Sequence, residues 1–331
     1  MIFLTSCGKK EEASPVTKTN FLLDTLIQIT AYGDNAESAI NSAFDRIAEI
    51  HNKMNVNDEE SEISSINKLA GRGFAKVSQD TFYVIQKGLY YSSLSHGKFD
   101  ITIGPLVKLW GIGTERARVP DKNVIESVLP LINYQDVIID QEKKEVMLKR
   151  EKMALDLGAI AKGYAADEVM RILKENGIKS AVADLGGNIY VLGTKPNGKS
   201  WRIGIQNPFK QRGITFATIE VKDKTIVTSG TYERFFVENG KKYHHILDTK
   251  NGYPVENGLV SVTIIGDTSI DCDALSTTTF ALGLKEGMKL IENIKGYEAI
   301  FVTQDKKVYV TSGVNNYNFT ITDEEFKLEN L

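Results

Sequence analysis

"KSAVADLGGNIYVLG", residues 179–193, holds two β-prone runs around Gly186-Gly187. A glycine pair between two apolar runs predicts strand, tight turn, strand, because both central residues of such a hairpin take positive φ. Outward from this hairpin the same alternation recurs at Thr25 to Tyr32, Asp136 to Ile139, Val146 to Lys149, "KSWRIGIQNP", "FATIEVKDKTIVTSG", "EAIFVT" and "KKVYVT". Helical spacing marks Asn35 to Met54, Ser78 to Gly97, Ala159 to Gly177 and Lys285 to Ile294. Strands cluster and helices cluster, without the strict alternation of a doubly wound sheet. The expected class is α+β, with mixed or antiparallel sheets and packed helices.

The chain has 331 residues and a net charge of −3, so bulk electrostatics give no case for nucleic acid. No apolar run is long enough to cross a bilayer as a helix. The two cysteines, Cys7 and Cys272, do not support a disulfide framework or thiolate metal ligation. Leu4-Thr5-Ser6-Cys7 looks like a bacterial lipobox, with a polar tether from Gly8 to Asn20. A signal peptide needs more than Met1 to Phe3 before this box, so the lipobox reading implies a start upstream of Met1 or a trimmed sequence. The expected organisation is lipobox and tether over 1–20 and one domain over 21–331, with room for two subdomains.

Four polar clusters lie at junctions between elements. In "GKFDITIGPLVKLWG" (97–111), Asp100 sits among apolar residues and must cap backbone donors or meet a ligand. "DLGAIAKGYAAD" (156–167) runs from a strand into a helix start, which suits phosphate, and Lys162 adds a full charge one turn in. Thr228-Ser229-Gly230 reads as a small-residue turn able to cradle an anion. His244 and His245 are adjacent, so in a strand only one can enter a given site.

The fourth cluster is "DCDALSTTTFALG" (271–283), where two carboxylates and four hydroxyl residues open an apolar helix. If residue 273 onward is helical, Asp273 and Thr277 share a face at i and i+4. These are hard oxygen donors that fit Mg²⁺ better than zinc or copper. Equally open is the plain reading, with Asp273 as N-cap and the hydroxyls bonded back to i−4 carbonyls. Asp271 reads as a solvated approach to that cap.

In order along the chain, "LDT" (23–25), "SEISSIN" (61–67), "GKFDITIGPLVKLWG" (97–111), "DLGAIAKGYAAD" (156–167), "DLGGNIYVLG" (184–193), "TSGTYERFF" (228–236), "HHILDTKNGYP" (244–254) and "DCDALSTTTFALG" (271–283) resemble the ApbE family, the FAD:protein FMN transferases. The resemblance implies an α+β fold and a Mg²⁺-dependent reaction. FMN passes from FAD to a threonine or serine hydroxyl of a target protein, and AMP leaves. It also implies metal ligation by Asp273, Thr277 and the main-chain oxygen of Ala159. FAD contacts are implied for Leu23, Asn57, Phe99, Asp100, Ile101, Asp156, Lys162, His245 and Ile246. Among these His245 is the candidate for pyrophosphate contact or for taking the hydroxyl proton. The implied partner is a membrane-associated or exported redox subunit. The implied location is the outer face of the bacterial cytoplasmic membrane, with a lipid anchor on Cys7.

Two positions depart from the family pattern. Many members have Met-Gly-Thr at Leu23-Asp24-Thr25, and many have tyrosine at Asn57. Asparagine cannot stack on a ring, which motivates a second reading as a Mg²⁺-dependent FAD pyrophosphatase. A non-enzymatic flavin-binding lipoprotein is the third.

Overall fold

The computed structural model describes residues 14–331. Cys7 and the first part of the expected tether, residues 8–13, lie outside them. The tether ends earlier than expected, because Val16–Leu22 is a strand paired along its whole length with Thr25–Tyr32. Its run Thr17-Lys18-Thr19-Asn20 reads as polar tether because it forms a sheet edge, where polar and charged side chains are the rule.

The opening hairpin forms as read, with Ser180–Leu185 antiparallel to Asn188–Leu192 and positive φ at Gly186 and Gly187. It occupies the third and fourth places of a nine-stranded sheet. Val16–Leu22 and Thr25–Tyr32 lie on one side of it. On the other, Lys224–Gly230, Leu259–Gly266, Glu298–Thr303, Lys307–Val310 and Lys327–Leu328 follow in order. Every pairing in this sheet is antiparallel except the last, which is parallel.

Helices Ala36–Met54, Ala161–Glu175 and Ser269–Leu282 cover one face and enclose the main core with Ile27, Ile29, Ala183, Val262 and Ile264. The other face carries a three-stranded sheet, Trp201–Gln206 with Thr215–Val221 and Thr320–Ile321, around Phe216, Ile219 and Ile300. A third, small cluster surrounds Trp110, whose indole N–H donates to the Gly252 carbonyl at 2.8 Å. Leu259–Gly266 lies between the layers and is buried at all eight residues.

The helix Ser269–Leu282 starts four residues before Asp273, so Asp273 is interior rather than the N-cap. Nearly every residue of it is buried, as expected for a helix wedged between other helices and the central strands. Its hydroxyls do bond back: Ser276 Oγ donates to Asp273 O and Thr279 Oγ1 to Leu275 O. Asp271 is not a solvated approach. It is buried and accepts from Lys87 Nζ, Tyr91 OH, Thr268 Oγ1 and Tyr297 OH. Burial pushes its carboxyl up, and the Lys87, Thr268 and Tyr91 donors more than reverse this, leaving it below the ordinary value. Apart from Thr268, those donors come from residues distant in the chain, which no local pattern reveals.

Candidate active site

The site forms where the helices Ala161–Glu175 and Ser269–Leu282 meet. Gly163 permits the meeting, since a Cβ there would stand 2.3 Å from Ser269 O and 2.6 Å from Ile270 Cα. Gly163 is the third residue of its helix, so its N–H is one of the first donors, which find no partner in their own helix. Here it donates to Asp273 Oδ2 at 2.9 Å. Ile160 N and Ala161 N both turn to Leu157 O, and Tyr164 N goes to Ile160 O. Among the described residues, no hydrogen bond reaches Ala159 O. The turn therefore leaves the Ala159 carbonyl without a backbone partner, and the Asp273 carboxylate that takes the Gly163 N–H is only 3% exposed.

Lys162 Nζ lies 3.7 Å from Asp273 Oδ1 and donates to Gly158 O at 3.3 Å. Gly158 N donates to Asp156 Oδ1, and Asp156 N donates to Ile101 O, tying the turn to the 97–111 loop. Burial pushes the Asp156 carboxyl up, opposed by the Gly158 N–H and the charges of Arg234 and Lys162. Ser229 Oγ lies 2.8 Å from Ser276 Oγ and 3.2 Å from Thr277 Oγ1, which steers the Thr277 hydroxyl. Thr228-Ser229-Gly230 is consequently no anion-cradling turn. It ends the strand Lys224–Gly230, and its backbone is paired with Ser261 to Thr263.

His244 is buried, with Nε2 against Val255 O at 3.0 Å. His245 lies in the bend just past the strand Lys241–His244, so strand alternation does not set its side chain. Its Nδ1 lies 3.2 Å from Arg234 O, and its backbone N–H donates to the same carbonyl at 3.1 Å. A carbonyl only accepts, so Nδ1 carries the proton and Nε2 is left as the bare acceptor. Burial sets the His245 ring well below the ordinary histidine value, to about 3. Arg234 also donates to Asp24 O at 3.5 Å, joining the Leu23-Asp24 turn to this side of the site. That turn links two paired strands through φ of 52° and 55°, a left-handed conformation costly for leucine.

These contacts gather Ile101, Asp156, Lys162, Asp273, Thr277 and the turn at Ala159 in one group, and Leu23, His245 and Ile246 in another around Arg234, whose charge acts on Asp156. Asp100 does cap: its carboxylate accepts from Thr102 N, Thr102 Oγ1 and Tyr134 N. Burial raises this carboxyl against those three bonds. Phe99 is turned into the core against Tyr91. Asn57 is exposed in the loop after the helix Ala36–Met54, with its backbone N–H donating to Asn55 Oδ1.

Three contributors escape sequence reading. Arg234 lies inside a quoted motif, and only the fold shows its carbonyl orienting His245. Asn67 pairs its amide with both backbone groups of Leu155, at 2.7 and 3.1 Å, next to Asp156. Asp167 accepts from Ser269 N and Ile270 N, at 2.7 and 2.9 Å. Burial raises its carboxyl to about 6 against those two bonds. Their only trace in the chain is their place at the ends of "SEISSIN" and "DLGAIAKGYAAD".

A model of the ApbE family matches residues 23–301. The chain belongs to the ApbE family. An FAD:protein FMN transferase of Klebsiella pneumoniae is 39% identical over 276 residues, spanning 83% of this chain and 85% of that protein. One of Treponema pallidum is 30% identical over 341 residues, spanning 98% and 94%. Among solved structures, the ApbE protein of Thermotoga maritima superposes with a TM-score of 0.85 at 30% identity, over 92% of this chain and 99% of that one. The flavin transferase ApbE of Vibrio cholerae gives 0.83 at 26% identity, with the same coverage. The α+β architecture is that of ApbE structures.

Proposed function

We propose that this chain transfers FMN from FAD to a threonine or serine hydroxyl of a target protein, releasing AMP, at the junction of Asp273, Thr277, Ala159 and His245. Family membership and the names of its relatives support the reaction class. The observation that carries the site is the hydrogen bond from the Gly163 N–H to the buried Asp273 carboxylate, at a helix start whose preceding turn leaves the Ala159 carbonyl without a backbone partner.

The donor set fits Mg²⁺. It is one carboxylate, one hydroxyl and one carbonyl, all hard oxygens, and no group of three or more histidine, cysteine or acidic side chains able to hold a metal occurs among the described residues. Asp273, Thr277 and the Ala159 carbonyl would hold it. When bound, Mg²⁺ supplies polarisation of the pyrophosphate and neutralises charge on the leaving AMP.

The chain's own groups do the rest. Lys162 places a positive charge beside the developing negative one. His245 Nε2, neutral over the working pH range, accepts the acceptor hydroxyl proton. The acceptor oxygen bonds to the FMN phosphorus, the bond from that phosphorus to the bridging oxygen breaks, and AMP departs with that oxygen. Leu23, Asp156 and Ile246 border the path of FAD. The Phe99-Asp100-Ile101 stretch meets it through its backbone, because the Phe99 and Asp100 side chains are committed elsewhere.

The test mixes the protein with FAD, Mg²⁺ and an exported redox subunit of the same host, and reads the subunit's intact mass. Gain of one FMN less one water is expected, with none for Asp273→Ala. No gain on any exported protein would reject the transferase reading.

One observation favours the pyrophosphatase as a second activity: Asn57 is exposed and offers no aromatic face. FAD and Mg²⁺ without acceptor would then turn over steadily to FMN and AMP, whereas FAD kept intact for hours excludes it. Anchoring through a lipid on Cys7, at the outer membrane face beside a membrane-associated acceptor, is part of the proposal. Loss of the protein from the membrane fraction on Cys7→Ser tests it.

A further inference from the structure

The two helices of the site exchange caps. A helix leaves its first N–H groups without partners in its own backbone, and a nearby carboxylate commonly takes them. The helix Ser269–Leu282 has Thr268 at its N-cap, but the Thr268 hydroxyl donates to Asp271 and caps nothing. Its Ser269 and Ile270 N–H groups go instead to the two oxygens of Asp167, at 2.7 and 2.9 Å, about a hundred residues away in the chain. The helix Ala161–Glu175 likewise lacks a side-chain cap of its own. One of its first N–H groups, that of Gly163, goes to Asp273 of the other helix at 2.9 Å.

The spacing gives this exchange a consequence. Gly163 and Asp167 are four residues apart on one helix, and Ser269 and Asp273 are four apart on the other, so each pair is separated by about one turn. Two ties one turn apart fix both the separation and the axial register of the helices. A single tie would leave the second helix free to slide or rotate. The absent Cβ of Gly163 makes the register tight, because the backbone of Ser269 and Ile270 fills that space.

We propose that Asp167 is a positioning residue for the divalent metal. By clamping the start of the helix Ser269–Leu282, it holds Asp273 and Thr277 at the distance from the Ala159 carbonyl that a metal requires. It does not touch the metal or FAD. This rests on the metal site proposed above, and it adds a residue that acts only through helix register.

The test is Mn²⁺ binding to the purified full-length protein, followed by electron paramagnetic resonance in the absence of FAD. Wild type, Asp167→Asn, Asp167→Glu and Asp273→Ala are compared. Asp167→Asn keeps the shape but turns one N–H₂ toward a backbone N–H, so one tie is lost. Orienting partners outside a metal's ligand set are typically worth about 10–100-fold in metal affinity. Asp167→Asn is expected to weaken Mn²⁺ binding at least about tenfold. Transfer activity should return toward wild type at saturating metal, so the apparent KM for metal moves more than kcat. If Asp167→Asn does not fold, Asp167→Glu, which keeps the charge and displaces it by one methylene, is read by the same criterion. Mn²⁺ affinity within twofold of wild type in a folded variant overturns the proposal and leaves Asp167 a purely structural cap. If Asp273→Ala also binds Mn²⁺ like wild type, the metal reading itself has failed. Loss of binding in Asp273→Ala with none in Asp167→Asn refutes only the positioning role.

Discussion

Gly163→Ala sets two ordinary expectations against each other. Alanine in place of glycine in a helix usually stabilises by about 0.8–1.0 kcal/mol. Here the new Cβ meets backbone, at 2.3 Å from Ser269 O and 2.7 Å from its carbonyl carbon. Ordinary contact begins near 3.4 Å, so the helices must part by about 1 Å. Overpacking of this kind costs about 1–3 kcal/mol. The same movement stretches the Gly163–Asp273 hydrogen bond, now 2.9 Å, toward breaking. A bond to a charged acceptor is worth about 1.5–3 kcal/mol. The net expectation is a loss of about 2–4 kcal/mol, opposite in sign to the propensity rule. Urea denaturation should show a lower midpoint at unchanged slope. Mn²⁺ affinity should fall in parallel, because Asp273 moves away from Ala159. A variant as stable as wild type, binding Mn²⁺ equally well, would refute the close approach.

Leu23→Gly relieves a left-handed leucine in the hairpin turn and should raise stability by about 1 kcal/mol while weakening FAD binding, as thermal melts and FAD titration would show. Asn67→Ala strips both backbone groups of Leu155 of their partner and should cost about 1–3 kcal/mol, with reduced FAD affinity through the adjacent Asp156; unchanged stability would contradict the clamp. His245 has its folded value lowered to about 3 against an ordinary 6.5, so the unfolded chain binds the extra proton between those values. The stability His245 contributes is therefore present above about pH 6.5 and is lost as pH falls toward 3. In His245→Asn this acid-side loss should shrink, measured as the pH dependence of the urea midpoint relative to wild type.

The fold was legible where one local rule governs. Gly186-Gly187 can hardly be other than a turn between strands, and the apolar stripe of Ala39, Ile40, Ala43, Phe44 and Ile47 finds its core as a helix. Reading failed where a partner distant in the chain decides. The helix at Asp271 starts at Ser269 because Asp167 caps it from a hundred residues away, so the local signals suggested a start at Asp273. Asp271 looked solvated because Lys87, Tyr91 and Tyr297 are invisible from its neighbours in sequence. Thr228-Ser229-Gly230 has the composition of a turn, yet pairing with Leu259–Gly266 extends the strand through it. At the site, the residue types at Asp273, Thr277 and His245 were visible in the chain. The hydrogen bond from the Gly163 N–H to Asp273, after a turn whose Ala159 carbonyl takes no backbone bond, is a property of packing alone.

The central claim is that Asp273, Thr277 and the Ala159 carbonyl converge on one metal ion. A crystal of the protein soaked with FAD and Mn²⁺ tests it most directly through the anomalous signal of manganese. The account predicts a single strong peak within bonding distance of all three oxygens, next to the pyrophosphate. A peak away from Asp273, with the pyrophosphate beside it, would contradict it.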